Sequence, residues 1–184
     1  MQPRKLLRAT GIAAGIAALA GFGIGLAAGR TQKPEDLPVA RKLPADLCAR
    51  LGDVSALFPG PAELQQTGRA EVRCTAEVAE AGQPTHSEAR LTVVIRTHAS
   101  RTGSTAADVA RTEFDDKTWP VVENRPYPTK VNPDEQGEDV WEIKLVTTRG
   151  DVVVEVTYYA SPITQEAAQT AALAVGEKAV WEAR

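Results

Sequence analysis

The sequence has few of the side chains from which most catalytic and metal sites are built. It holds two histidines and two cysteines in 184 residues, and only 5% of its residues are aromatic. No HExxH, GxSxG or Walker motif occurs in it, and His86 and His98 belong to no closed ligand set. From these absences we predict a non-enzymatic protein with no catalytic residue, no metal site and no cofactor.

Acidic side chains are missing from the first 30 residues, which hold four of the 21 basic ones. The remaining 17 basic residues stand against all 24 acidic residues, so residues 31–184 carry a net charge of about −7. An acidic segment of this kind repels polyanions. We therefore expect no nucleic-acid partner.

Charge of either sign is missing from residues 9–29, ATGIAAGIAALAGFGIGLAAG. As a helix this run would span roughly 31 Å, the thickness of a bilayer's hydrocarbon core, and the basic residues before it place the N-terminus in the cytoplasm. We predict a cytoplasmic tail at 1–8, a transmembrane signal anchor at 9–29, a proline-containing stalk at 30–43 and an extracytoplasmic domain at 44–184. The alternative is secretion after signal-peptide cleavage.

Small residues recur along one stripe of this apolar run. Gly21, Gly25 and Gly29 repeat the small-xxx-small pattern that lets two membrane helices approach closely. The pattern predicts membrane-helix packing and a homodimer. The alternative is a chain that is rich in alanine and glycine throughout.

Cysteine occurs only at Cys48 and Cys74, beyond the apolar run. An even count in an exported domain is typical of one disulfide. The rival interpretation is a CxxC or metal pair, but the spacing and the scarcity of histidine argue against it.

The stretch LVTTRGDVVVEV, residues 145–156, contains an Arg-Gly-Asp tripeptide between two apolar runs. With Arg149 and Gly150 as a two-residue turn, Leu145 faces Val154 and Ile143 faces Val156, which places the large apolar side chains on one face. We interpret the tripeptide as a hairpin turn. Its alternative role, integrin-type adhesion, requires an exposed loop.

The sequence contains an internal repeat. The segment that begins at Val93 aligns with the segment that begins at Val154 at a constant offset of 61 residues. Each copy reads as a strand followed by a helix, the first helix capped by Ser104 and the last by Thr164. We predict an α+β fold: an N-terminal transmembrane helix, then a four-stranded, mostly antiparallel sheet built from two β-β-α units with helices packed on one face.

The segment WPVVENRPYPTKVNPDEQGED, residues 119–139, shows no regular periodicity. Long loops in compact domains are often functional. Trp119, Arg125, Tyr127 and Lys130 offer aromatic and basic side chains in an acidic protein, and we predict that they form the binding surface. The alternative is a proline-stiffened crossover with its aromatic residues packed inward.

A family resemblance completes the sequence-based picture. The segments DLCARLGDVSALFP, VRCTAEV and GEDVWEIKLVTTRGDVVVEVTYYA, with the alanine-rich terminal helix, resemble an actinobacterial family of exported domains of unknown function. Many members are lipoproteins, and they are similar to extracytoplasmic sensor domains of membrane kinases. The resemblance implies a Cys48–Cys74 bond and a sensor-like α+β fold. This chain departs from the family because it lacks a lipobox cysteine.

We therefore expect a single-pass membrane protein whose extracytoplasmic, sensor-like domain binds an envelope protein or a small ligand. Two alternatives are a structural accessory of the cell envelope, dimerised through its membrane helix, and a secreted hydrolase.

Overall fold

A computed structural model of the chain describes residues 43–44, 46–52, 63–67, 71–79 and 88–183, with no side-chain description at 63–67 and 78–79. The predicted tail, membrane helix and stalk up to residue 42, with Gly21, Gly25 and Gly29, lie outside these residues. Within the described ranges, no helix is long and apolar enough to cross a membrane.

The described residues form six strands and three helices. In chain order they are α1 (Leu47–Arg50), β1 (Glu63–Thr67), β2 (Glu71–Ala79), β3 (Glu88–Thr97), α2 (Ala106–Asp115), β4 (Thr129–Gly137), β5 (Val140–Arg149), β6 (Val152–Ser161) and α3 (Gln165–Glu182). The strands make one sheet in the order β1-β2-β3-β6-β5-β4, and every neighbouring pair is antiparallel. Two three-stranded meanders therefore join through β3 and β6.

The two faces of the sheet differ because successive strand residues point in opposite directions. Leu145 and Val156 meet α3, at whose Gly176 an added Cβ would lie 2.8 Å from Leu145 Cδ2. Their neighbours Val146 and Val153 point to the other side, where they pack with Ala110 and Phe114 of α2. The long helix α3 thus covers one face of the sheet, and α2 covers part of the opposite face.

The predicted fold class is wrong in two respects. The sheet has six strands and not four, since β1 and β4 were not predicted. The repeat unit is β-β-β-α, and its two helices lie on opposite faces and not on one.

The β5–β6 hairpin has the predicted core face but a different register. Ile143 pairs with Tyr158 and Leu145 with Val156, and Arg149 pairs with Val152. The turn is therefore Gly150-Asp151, and each residue of β5 pairs with a residue of β6 two positions further along the chain than predicted. Gly150 has φ +56°, whereas Asp151 is not among the residues with positive φ. A tight turn with Gly at its first central position needs positive φ only there, which explains the shift.

Cys48 and Cys74 form a disulfide, as predicted. Cys74 is fully buried on β2, and Cys48 lies on α1 next to the buried Leu47. The bond fastens this four-residue helix, which is too short to be stable alone, to the sheet. The helix also contacts α3, where Arg50 Nη1 lies 3.5 Å from Glu182 Oε2.

Candidate functional site

Trp119, the first residue of the predicted binding surface, is half-buried and packs against the apolar cluster between α2 and the sheet. The Nζ of Lys117 lies 5.2 Å from the centre of its ring, a cation–π contact. The indole therefore closes the end of this small core, and only part of it remains accessible to a partner.

Lys130 and Tyr127 are buried and not available at the surface. The Lys130 ammonium donates to the backbone oxygens of Phe114, Asp115 and Lys117 at 2.9, 3.2 and 2.6 Å. It also lies 4.7 Å above the Phe114 ring. Because the last carbonyls of a helix have no partner within it, this lysine satisfies the C-terminus of α2.

Arg125 is exposed, and its Nη1 lies 3.1 Å from Glu177 Oε1 of α3. The segment that carries it is shorter than predicted, since residues 129–137 form the edge strand β4. Trp119, Lys130 and Arg125 thus belong to an apolar cluster, a helix terminus and an ion pair respectively, and Tyr127 is buried. Their binding role stays a prediction, and none of them lines the pocket described next.

A pocket of about 380 Å³ lies between α2 and the segment that connects it to β3. Its walls combine both charge signs, two hydroxyl groups and one apolar side chain. The lining residues are His98, Arg101, Ser104, Val109, Thr112, Glu113 and Asp116.

Backbone hydrogen bonds hold the connecting segment in place. The N–H of His98 donates to the Asp151 carbonyl at 2.9 Å, just after β3 ends. Arg101 and Ser104 exchange two backbone hydrogen bonds of 3.0 Å, which close a tight turn. The N–H of Ala106 donates to Ser100 Oγ at 3.2 Å, so this turn lies beside the first residues of α2.

The helix α2 begins at a capping box formed by Thr105 and Asp108, one residue beyond the predicted cap at Ser104. Thr105 Oγ1 accepts from the N–H of Asp108, and the Asp108 carboxylate accepts from the N–H of Thr105. This arrangement leaves the hydroxyl group of Ser104 free to face the pocket.

Two lining residues, His98 and Glu113, belong to a network of charged contacts that extends to Arg96, Glu155 and Lys117. His98 Nε2 lies 2.8 Å from Glu113 Oε2, a contact that becomes an ion pair when the imidazole is protonated but is not aligned as a hydrogen bond. Glu113 also accepts from Arg96. Arg96 in turn contacts Glu155 at 2.9 Å, and Lys117 contacts the same carboxylate at 2.8 Å.

The pKa values of this network report how strongly its members are paired. Burial acts to raise the pKa of Glu155, but the hydrogen bonds from Lys117 and Arg96 outweigh it, and the pKa is lowered. Burial acts to lower the pKa of Arg96, yet its hydrogen bonds to Glu155 and Glu113 raise the value. Both groups are therefore held in their charged forms.

Two other lining residues carry charges without such partners. Among the described residues, the guanidinium group of Arg101 and the carboxylate of Asp116 make no ion pair or side-chain hydrogen bond. Both side chains are exposed. Thr112 differs from them, because its hydroxyl donates to the Asp108 carbonyl at 2.9 Å. The unpaired cation and anion are the groups available to a ligand.

The Arg-Gly-Asp tripeptide is not an exposed loop. Arg149 is 6% exposed and Asp151 8% exposed, and only Gly150 is open to solvent. An adhesion receptor must reach both charged side chains, so the structure supports the interpretation as a turn.

None of the pocket residues was predicted as part of a site. A signal was nevertheless present in the sequence. Val109, Thr112, Glu113 and Asp116 recur at the 3-4 spacing of one helix face, which is mostly polar although α2 also has a buried stripe. Within the described ranges, no three His, Cys, Asp or Glu side chains lie close enough to hold a metal ion.

Comparison of the chain with known protein families, with curated proteins and with solved structures gives no significant match. Any functional conclusion therefore depends on the residues themselves.

Proposed function

We propose that the domain formed by residues 44–184 is an extracytoplasmic, sensor-like binding module, and that a small polar ligand occupies the pocket between α2 and the end of β3. The observation that carries this proposal is the pocket itself, in which the His98–Glu113 contact stands beside two unpaired charges of opposite sign. Polar groups at fixed positions around a concave surface are what give small-ligand sites their specificity.

The extracytoplasmic location is supported by the disulfide, since such bonds persist mainly in oxidising compartments. The small number of histidines and the paired state of His98 and Glu113 favour binding over catalysis. The resemblance to sensor domains is consistent with such a module.

A thermal-shift measurement tests the proposal. The melting temperature of the full-length chain is recorded with free amino acids, short peptides, monosaccharides, short-chain carboxylates and inorganic phosphate. A compound that binds the folded state raises the melting temperature. We expect at least one class to do so in the wild type and to lose its effect in Thr112→Trp, because the indole fills the pocket at an exposed position of α2.

The matched control is Thr170→Trp, an equally exposed threonine on α3 that does not line the pocket. A stabilising compound that acts equally on wild type and Thr112→Trp would place binding elsewhere. Absence of stabilisation by every class would argue against the module.

Hydrolysis is a second candidate, because the pocket brings a serine, a histidine and a glutamate together. His98 Nε2 lies 2.8 Å from Glu113 Oε2, although this contact is not aligned as a hydrogen bond, and Ser104 lines the same cavity. Turnover of a p-nitrophenyl ester that is abolished in both His98→Ala and Ser104→Ala would establish it. Equal background rates in wild type and both variants would dismiss it.

A further inference from the structure

Resting on the proposed function, we infer that the ligand is a short peptide with both ends free, which lies along α2 with its carboxylate at Arg101 and its ammonium group at Asp116. The inference identifies the ligand by the sign and the separation of the two unpaired charges.

The first step is the separation of the charges. Arg101 belongs to the turn beside the N-terminal end of α2, as its paired hydrogen bonds with Ser104 and the Ala106–Ser100 contact show. Asp116 is the C-terminal cap residue of the same helix. The stripe of pocket-lining residues on α2, from Val109 to Asp116, extends over roughly 10 Å along the helix at a rise of 1.5 Å per residue.

The second step is the length of ligand that this separation requires. A single amino acid carries its carboxylate and ammonium group on one carbon and cannot reach both ends of the pocket. An extended chain advances about 3.3–3.6 Å per residue, so roughly three residues cover 10 Å. The pocket volume of about 380 Å³ lies at the small end of the range for ligand sites and suits a ligand of this size.

The third step is the chemistry at each end. The planar guanidinium group of Arg101 can donate two parallel hydrogen bonds to a terminal carboxylate, and the nearby Ser104 hydroxyl can add a third. The Asp116 carboxylate can accept from a terminal ammonium group.

The fourth step concerns the rest of the pocket. Glu113 is neutralised by Arg96 and faces His98, and Thr112 is already bonded to a backbone carbonyl, so these groups do not compete for the ligand's charges. Val109 offers a small apolar contact at the N-terminal end of the stripe. This arrangement recognises the two charged ends of a peptide and makes few contacts that would select its side chains.

The test compares the affinity of the full-length chain for trialanine, N-acetyl-trialanine, trialanine amide and L-alanine by isothermal titration calorimetry. We expect trialanine to bind best. Because both charged residues are exposed, each end cap should weaken binding by only about threefold to fivefold. Equal affinity for free and capped peptides, or L-alanine binding as tightly as trialanine, would overturn the inference.

Two variants test separately which residue binds each end of the peptide. In Arg101→Gln the difference between trialanine and its amide should disappear, and in Asp116→Asn the difference between trialanine and its N-acetyl form should disappear. Arg111→Gln and Asp115→Asn are matched controls on the same helix, where the two exposed side chains pair with each other away from the pocket. Equal effects of the control and pocket variants would contradict the assignment.

The outcome separates this inference from the proposed function. If no peptide binds, but another class in the thermal-shift panel stabilises the chain and loses its effect in Thr112→Trp, the peptide inference fails and the binding module stands. If no class binds, both fail.

Discussion

At the scale of single residues, Lys130 shows how a charged side chain predicted to face a ligand can instead hold the fold together. Its ammonium group satisfies three carbonyl oxygens at the end of α2, whereas the half-exposed Lys144 contacts only Glu142, at 2.6 Å. Replacing Lys130 removes the ammonium donor from all three oxygens and, among the described residues, leaves Phe114 O with only the N–H of Lys117, at 3.3 Å. That loss costs more than removing a surface ion pair.

We predict that Lys130→Met lowers the free energy of unfolding by about 2–3 kcal/mol, since hydrogen bonds that involve a charged group contribute more than neutral ones. The matched control Lys144→Met should lower it by less than about 1 kcal/mol. Urea denaturation of both variants measures the difference. Equal stabilities would show that the contacts at the α2 terminus contribute nothing, and Lys130 could then be reconsidered as a ligand contact.

Glu155 leads to a prediction about pH. Its folded-state pKa is lowered below the ordinary value of 4.5, with burial opposing the shift and hydrogen bonds from Lys117 and Arg96 outweighing it. A depressed carboxyl pKa contributes stability that is present above the unfolded-state pKa and is lost as pH falls through the folded-state pKa.

We therefore expect wild type to be more stable than Glu155→Gln at pH 7 and this advantage to shrink as the pH is lowered below about 4.5. Urea denaturation of both proteins between neutral and acidic pH measures it. The control is Glu166→Gln, an exposed carboxylate in the first turn of α3. An advantage for wild type that stays constant across this range would contradict the lowered pKa.

At the scale of elements, α3 lies close to the sheet because its buried face is made of small residues. Ala168, Ala171, Ala172, Val175 and Ala179 are all buried, as the sequence pattern predicted, and Thr164 is the predicted N-cap. Gly176 marks the tightest contact, since an added Cβ would lie 2.8 Å from Leu145 Cδ2 and 3.7 Å from Val156 Cγ2.

We predict that Gly176→Leu lowers the free energy of unfolding by about 1–2 kcal/mol, because forcing extra atoms into a packed core costs more than the gain in helix propensity returns. Thr170→Leu, at an exposed position of the same helix, should change stability by less than about 0.5 kcal/mol. Chemical denaturation gives both values. An unchanged or raised stability of Gly176→Leu would mean that α3 can move away from the sheet without cost.

The two strands that were not predicted, β1 and β4, contain residues that are atypical of strands. β4 contains Asn132, Pro133 and Gly137, which are typical of turns, and a strand with Pro133 is tolerated because β4 lies at the sheet edge. β1 is mostly polar and shows no alternation. In contrast, β3 alternates clearly, and Leu91, Val93 and Ile95 are fully buried as predicted.

The candidate site was harder to predict than the strands, for a physical reason. Helix periodicity shows which residues of α2 share a face, but it does not show which segment comes to lie against that face. The position of Arg101 depends on a turn and on the Ala106–Ser100 hydrogen bond, and the His98–Glu113 contact joins a strand end to a helix across 15 positions of sequence. Such contacts follow from the tertiary fold and not from local pattern.

At the scale of the whole molecule, the repeat in the sequence corresponds to two β-β-β-α halves whose strands are arranged symmetrically about the β3–β6 pair. The helices break this symmetry. The segment after β3 places α2 against Val146 and Val153, while α3 covers the opposite face along Leu145 and Val156. Because α2 is short and covers only part of its face, the pocket opens at its side.

The disulfide is the covalent link between this sheet and the chain that precedes it. It closes a separation of 26 residues between α1 and β2. Closing such a loop removes conformational freedom from the unfolded chain and stabilises the fold by roughly 3.5 kcal/mol on the chain-entropy estimate. We predict that the double variant Cys48→Ala, Cys74→Ala loses about this much stability in urea denaturation.

The reductant response separates the covalent link from simple packing. Wild type should approach the stability of the double variant when dithiothreitol is present, and the double variant should not respond to dithiothreitol at all. The same bond tests the proposed location, because a chain exposed to an oxidising compartment carries it in the cell. Mass spectrometry of alkylated native protein should find both sulfurs protected from alkylation, and free thiols at Cys48 and Cys74 would contradict an extracytoplasmic domain even if the bond forms in vitro.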